Sequence, residues 1–214
     1  MNINKLQALC IGATLAMGSG AGWAQDNAVK AGVIYYTTHS STSGIQGVGV
    51  PPGADAETGN AVTLVLTYER MLTPNFGVEF VFGVPPTINA KATGSVAFLG
   101  DDVLSARSVS PTLLFNYHFG APGDTWRPYV GIGINYTRFV SIESTLADRV
   151  EMSDSWGPAA QIGVDYALTK DWSLFASVAA LKVKSDLVAV GATVLTTTID
   201  FRPITYSFGV AYKF

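Results

Sequence analysis

The 214-residue chain has one cysteine, two histidines and only 14% charged side chains. The single cysteine, Cys10, lies near the start, so neither disulfides nor thiol chemistry are expected in the rest of the chain. No uninterrupted apolar run of 18 residues occurs after position 25, which argues against helical membrane spans. Asp and Glu (16) outnumber Lys and Arg (13), so a basic surface for nucleic acid is missing too. Mean hydropathy is nevertheless positive, at +0.29. A β-sheet that faces lipid would give a positive mean hydropathy without any helical membrane span.

The first 24 residues have the pattern of a secretory signal peptide. Lys5 precedes an apolar run over residues 6–17, which is too short to cross a bilayer. Small residues follow, and Gly22-Trp23-Ala24 fits a cleavage site before Gln25. An N-terminal membrane anchor is the alternative, and the short run disfavours it. We therefore expect a signal peptide over residues 1–24 and a mature domain over residues 25–214.

The last eleven residues, 204–214, alternate strictly between two kinds of side chain. Even positions, from Ile204 to Phe214, are large and mostly aromatic, whereas odd positions are small or polar and include Lys213. A period of two predicts a β-strand with two unlike faces. The small face suits the lumen of a membrane barrel and the aromatic face suits lipid. Tyr212 and Phe214 are also expected to form the terminal signal that outer-membrane assembly machinery binds.

Seven further segments alternate in the same way. Together they predict an all-β fold, an eight-stranded antiparallel up-and-down transmembrane β-barrel. The eight segments are 29–37, 60–69, 76–84, 109–119, 129–139, 156–168, 172–184 and 197–214.

The connections between these segments alternate long and short. Outer-membrane barrels have short periplasmic turns and longer external loops, so this order places the protein in the cell outer membrane with both termini in the periplasm. The long connections are rich in glycine, proline or charge, and are predicted to be loops. They are 38–59, 85–106, 140–154 and, where the alternation blurs, about 186–196.

A soluble eight-stranded barrel of the lipocalin kind is the alternative fold. Such a barrel places large apolar side chains inside and charges outside. Here the charges share a face with the small residues, and the opposite face carries nine or more aromatic side chains. Those rings would crowd a lumen barely wide enough for side chains, so the membrane barrel is favoured.

The inward face contains an apolar group and a charged group. The apolar side chains are candidates for a hydrophobic conduit, although ordinary filling of a narrow barrel is an equal alternative. They are Ile34, Val65, Val81, Leu114, Phe175 and Leu181. The charged side chains lie toward the short-turn end, where we expect them to pair and close the periplasmic side, because unpaired buried charge is too costly to keep. They are Lys30, Glu69, Glu79, Asp165 and Lys213.

The two histidines predict neither an active site nor a metal centre. A hydrolase would need serine, histidine and a carboxylate positioned together. His39 has only neighbouring loop serines, and His118 is predicted to point inward at the periplasmic end. Neither has carboxylates at metal-ligand spacing. Gly131-x-Gly133 is no phosphate loop because no helix follows it. We therefore expect no enzyme and no cofactor.

Four segments together resemble the OmpW family of outer-membrane proteins (OmpW/AlkL-like). They are 75–79, 127–137, 154–166 and 201–203. The resemblance implies an eight-stranded barrel with an apolar lumen, which passes small hydrophobic molecules across the outer leaflet and releases them sideways into the membrane. It also implies a bulky constriction in the seventh strand, where this chain has Ala179, which leaves Phe175 as a candidate gate. The expected partners are the lipid bilayer and lipopolysaccharide, the assembly machinery and small hydrophobic solutes.

Passive uptake of small hydrophobic molecules is therefore the predicted function. The alternative is a structural barrel, or a receptor or adhesin that binds a partner through its long extracellular loops. The lumen separates the two hypotheses: an apolar funnel with a side opening favours uptake, whereas a plugged polar core favours the loops.

Overall fold

The computed structural model describes residues 26–214 except 39, 43, 48, 101–102, 146, 148 and 192–193. The expected signal peptide, Cys10 and His39 lie outside the described residues. The strands are β1 (Asn27–Thr37), β2 (Ser40–Thr42), β3 (Gln46–Gly47), β4 (Ala54–Thr58), β5 (Ala61–Met71), β6 (Phe76–Gly83), β7 (Thr87–Gly94), β8 (Leu104–Val109), β9 (Thr112–His118), β10 (Trp126–Ser144), β11 (Arg149–Met152), β12 (Ser155–Ala167), β13 (Trp172–Leu181), β14 (Val183–Val190), β15 (Val194–Phe201) and β16 (Ile204–Lys213). A short 3-10 helix spans Ala97–Leu99. Within the described ranges no helix has the length and apolarity to cross a membrane.

Eight strands close a barrel in which all neighbours are antiparallel. Their order is β12-β13-β16-β1-β5-β6-β9-β10, and β10 pairs back with β12. The first and last barrel strands pair continuously, from Ala28 opposite Lys213 to Thr37 opposite Ile204. Each predicted segment overlaps one of these strands, so the structure confirms the eight-stranded up-and-down barrel.

Side chains alternate between the lumen and the outside of the barrel, as a period of two requires. On β5, Val62 and Leu64 are exposed, whereas Val65, Thr67 and Glu69 are buried. Large apolar side chains therefore cover the outside while polar and charged ones lie within. This is the reverse of a soluble protein and the pattern of a barrel that faces lipid.

Outward-facing aromatic side chains form two rims. One rim lies beside the short turns 72–75, 119–125 and 168–171, which define the short-turn end. Its members are Tyr68, Phe76, Tyr117, Phe119, Trp126, Tyr166, Trp172, Tyr212 and Phe214. The other rim contains Tyr35, Tyr136, Trp156 and Tyr206. On β12, Trp156 and Tyr166 lie about 33 Å apart along the strand at ~3.3 Å per residue. A tilt of about 40° turns this into ~25 Å, the height of an apolar membrane band.

The long connections, predicted to be loops, contain further strands. β4, β7 and β8 form one sheet that joins the upper part of β10, and β11, β14, β15, β2 and β3 form a second. Both continue the wall beyond the outer aromatic rim, at what we call the extended end. Prolines lie between the barrel strands and the extension strands, because a residue without an N–H cannot donate to a strand ladder. Pro85-Pro86 separates β6 from β7, and Pro203 separates β15 from β16.

Candidate functional site

Four charged side chains from four strands meet inside the barrel near the short-turn end. Lys30 Nζ lies 2.9 Å from Glu69 Oε2, 3.3 Å from Glu79 Oε1 and 3.8 Å from Asp165 Oδ1. All four side chains are almost fully buried. The structure therefore brings together four of the five charged residues singled out in the sequence.

Neutral side chains cross-link these charges. The Asn116 amide donates to Glu69 Oε1 and Glu79 Oε2, both at 2.8 Å. His118 Nε2 lies 2.7 Å from Glu69 Oε1. Gln161 donates to Glu79 and, at 2.8 Å, to Asn116 Oδ1. Buried carboxylates persist as ions only with such partners, so these bonds complete the ion pairs.

An aromatic ring completes the cluster. Tyr129 is 2% exposed, and its ring centroid lies 4.8 Å from Lys30 Nζ and 4.9 Å from the ring of His118. A ring face within about 6 Å of an ammonium attracts it. We call the whole cluster the plug. Its members are Lys30, Glu69, Glu79, Asp165, Asn116, His118, Gln161 and Tyr129.

The sequence predicts an inward His118, but it does not assign His118, Asn116, Gln161 or Tyr129 to the charged network. One feature of the sequence indicates the inward position of Tyr129. Gly163 lies opposite Tyr129 in the ladder, and a Cβ at Gly163 would collide with the Tyr129 ring. An inward glycine beside an inward bulky residue therefore leaves room for that side chain to lie over the neighbouring strand.

The fifth charged candidate, Lys213, lies apart from the plug. It lines a cavity of about 570 Å³ at the short-turn end, together with Asp26, Lys170 and the lower face of the plug. Across the described part of the chain, no ion pair joins Lys213 to a carboxylate. It is half-buried, so water can solvate its ammonium.

Three plug residues have the donor types of a metal site. Ligand atoms of Glu69, His118 and Asp165 all lie within 4.8 Å of one another. The Lys30 ammonium already contacts both carboxylates, so a protein cation occupies the position that a metal ion would take. The arrangement fits an internal ion pair better than a metal centre.

The lumen becomes apolar directly above the plug. Ile34, Val65 and Phe175 are buried in one cluster, with Val81 packed against it. The Phe175 ring centroid lies 5.8 Å from Lys30 Nζ, so the apolar segment rests on the charged one. These four apolar residues line a small cavity of about 50 Å³. Leu114, which is 2% exposed, lines this cavity too. Ala179 and Leu181 line this cavity toward the extended end.

Two more cavities continue this apolar segment toward the extended end. The middle one has about 60 Å³ and shares Tyr36 and Leu181 with the cavity below. The outer one has about 130 Å³, lies between the two extension sheets and shares Ile88, Phe139 and Phe201 with the middle one. Shared lining residues place the three cavities in series along the barrel.

The barrel wall has a gap in its strand pairing at the middle cavity. Pairing of β6 with β9 stops at Val81 and Thr112, and pairing of β7 with β8 begins at Thr87 and Arg107. Residues 82–86 do not pair with residues 108–111, although Phe82 and Gly83 still pair with β5 and Ser108 and Val109 still pair with β10, and we call this region the side gap. Three of its residues, Pro85, Pro86 and Pro111, have no N–H to donate. The middle cavity is lined from both sides of the gap.

Comparisons with known proteins agree with this architecture. The model of a family described as the OmpW family matches residues 24–214. Outer membrane protein W of Escherichia coli (strain K12) is 33% identical over 165 residues, which cover 72% of this chain and 74% of that protein. Outer membrane protein AlkL of Ectopseudomonas oleovorans is 29% identical over 170 residues, covering 78% and 73%. The crystal structure of OprG from Pseudomonas aeruginosa superimposes with a TM-score of 0.79 at 26% identity, covering 89% of this chain and 96% of that one.

Proposed function

Because the chain belongs to the OmpW family of outer-membrane β-barrel proteins, we propose that it passes small hydrophobic molecules passively into the outer membrane. The observation that carries the proposal is the series of apolar cavities that leads from the extended end to the side gap. The polar head groups of lipopolysaccharide block apolar solutes that would partition readily into lipid tails. A path past that layer meets this need without any chemical step, so we propose a channel for passive uptake rather than an enzyme.

The plug gives the path its direction. An apolar solute in the lumen cannot continue downward, because it would have to displace the ion pairs of Lys30 and leave charges unpartnered. The side gap is the remaining way out. The outward side chains beside it, Phe82, Val84 and Val109, are large, apolar and exposed. A solute that leaves through the gap therefore moves from an apolar lumen onto an apolar outer surface of the barrel.

The proposal includes an orientation. The extended end faces the medium, and the short-turn end, with both chain termini, faces the periplasm. This matches the short periplasmic turns of outer-membrane barrels. Tyr212 and Phe214 are exposed at the short-turn rim, where the assembly machinery would find them. The candidate conduit residues, Ile34, Val65, Val81, Leu114, Phe175 and Leu181, then line the floor and middle of the path.

A single polar substitution in the path tests the function. Phe139 lines both the outer and the middle cavity, so Phe139→Asp places a charge that an apolar solute must pass. We expect the initial rate of radiolabelled n-octane entry into cells to fall close to that of cells without the protein. The control is Val140→Asp, because Val140 is the next residue of β10 and faces outward. Equal uptake by both folded variants and the wild type would refute the proposal.

A receptor or adhesin role is the second candidate, and the plugged lower lumen is the observation that favours it. Deleting residues 43–58 removes β4 from one extension sheet and β3 from the other while leaving all eight barrel strands. If the extensions bind a surface partner, this deletion abolishes cell adhesion while the barrel still folds. If the deletion variant takes up octane and adheres to cells as the wild type does, the receptor hypothesis is excluded.

A further inference from the structure

An apolar groove runs along the outside of the barrel, just below the aromatic rim of the extended end. Ile132 and Ile134 of β10 form one side, Ala160 of β12 and Ala180 of β13 form the floor, and Lys182 lies at one end. The groove encloses about 570 Å³. It lies on the opposite face of the wall from the proposed transport path.

The sequence produces this groove through small residues on neighbouring strands. In the ladder, Ala160 pairs with Ile132 on one side and with Ala180 on the other. Two adjacent methyl groups next to a large isoleucine leave a trough in an otherwise bulky apolar surface. A lipid-facing trough of this kind is filled by lipid tails, since water cannot hydrate it favourably.

Cations lie above the groove on neighbouring strands. The ladder pairs Ala180–Ile204 and Val183–Phe201 place Lys182 beside Arg202, and both side chains are exposed. Arg202 contacts Asp200 at 3.0 Å. In the described part of the chain, no carboxylate forms an ion pair with Lys182. The level of Lys182 and Arg202, directly above the groove, therefore carries two cations.

The carboxylates of this region lie one layer further from the membrane. Asp200 is opposite Lys184 in the ladder, two residues beyond Lys182 along β14. Trp156, 70% exposed and packed on Tyr136 at 4.7 Å, marks the head-group level beside Lys184, and the Tyr136 hydroxyl donates to Asp154 at 2.6 Å there. Aromatic rings of this kind lie at the interface of membrane and water.

We propose that the groove and its cations bind a phosphorylated glycolipid of the outer leaflet, of the lipid A type. One acyl chain lies along Ala160 and Ala180, and a phosphate is bound by Lys182 and Arg202, with Lys184 adjacent. A zwitterionic phospholipid fits less well, because its ammonium group would approach the same cationic layer. The proposal rests on the orientation proposed above, in which the extended end faces the medium.

Lipid binding by the purified mature barrel tests the site. Diphosphorylated lipid A is added to the protein in detergent, and bound lipid is quantified by native mass spectrometry. The double variant Lys182→Glu/Arg202→Glu should bind this lipid at least ~25-fold more weakly, since each basic residue near an anionic surface contributes roughly fivefold. Lys170→Glu is the control, because Lys170 is an exposed cation at the short-turn end.

Two further measurements separate the phosphate site from the groove. Dephosphorylated lipid A should bind the wild type as weakly as diphosphorylated lipid A binds the double variant. Ala160→Phe fills the groove from the outside and should weaken binding while leaving Lys182 and Arg202 in place. Each variant counts only if it shows the heat-dependent gel migration of a folded barrel.

The proposal is overturned if phosphorylated and dephosphorylated lipid A bind equally, or if the double variant binds like the wild type. Preference for phosphatidylethanolamine would overturn it too and assign the groove to a phospholipid. Phe139→Asp, which blocks the transport path, should bind lipid A normally. A failure of the uptake proposal and a failure of this one are therefore distinguishable.

Discussion

The lower and upper halves of the lumen have opposite chemistry, although inward side chains of the same eight strands form both the plug and the apolar segment directly above it. In the lower half, Lys30 crosses the barrel interior and forms ion pairs with three carboxylates. In the upper half, apolar side chains line cavities in series. The plug and the apolar segment above it share one wall, so the chemistry of the lumen at each level depends on which side chains occupy the inward positions.

Removing the central cation should have the largest effect on this contrast. Lys30→Met keeps the length of the side chain but leaves Glu69, Glu79 and Asp165 as neighbouring buried carboxylates. We expect the free energy of unfolding to fall by about 3–5 kcal/mol, as when one partner of a buried ion pair is removed. Urea unfolding of the refolded barrel in detergent measures it.

Lys170→Met provides the reference for that measurement. Lys170 is exposed at the short-turn end, where loss of one cation should change the unfolding free energy by less than ~0.5 kcal/mol. A Lys30→Met variant as stable as Lys170→Met would mean that the plug is not held by its ions.

The contrast between the two halves was only partly predictable from sequence. Strict alternation indicated which face each side chain takes, so eight strands and an inward Lys30 both followed from a period of two. Asp165 lies on β12, whereas β1, which carries Lys30, pairs with β5 and β16. Their contact across the lumen depends on strand tilt and stagger, which no local pattern encodes.

The extension sheets were missed for a different reason. Segments such as 85–106 contain proline and glycine at positions that normally end strands. Here those residues interrupt strands that resume beyond them, because the upper part of β10 continues past the membrane and offers a pairing edge to β8. Tertiary pairing therefore overrode the local turn signals. The side gap arises from the same prolines.

Opening a cavity above the plug should have the second largest effect. Phe175 is 3% exposed and lies between the plug and the apolar segment. Phe175→Ala should lower the unfolding free energy by about 3 kcal/mol, since a buried ring is lost and the cavity collapses only partly. The matched control is Phe208→Ala, because Phe208 pairs with Ala176 beside it in the ladder but faces outward.

Phe175→Ala also tests where a solute leaves the lumen. If Phe175 gates the floor of the path, its removal enlarges the lowest cavity while the plug stays closed. Octane uptake should then remain at the wild-type level or rise, because the side gap lies above Phe175 and stays intact. A fall in uptake would place the exit below the side gap.

The smallest effect is expected at Lys213, which carries a charge on the inward face without belonging to the plug. Lys213 lines the open cavity at the short-turn end and is half-buried, so water already stabilises its ammonium. Lys213→Met should therefore change the unfolding free energy by less than ~0.5 kcal/mol, like an ordinary surface substitution. The same urea titration compares it with Lys30→Met, which removes the same group from the same barrel. If the unfolding free energy falls by more than about 2 kcal/mol, Lys213 belongs to the plug. A small change means that the plug ends at Lys30.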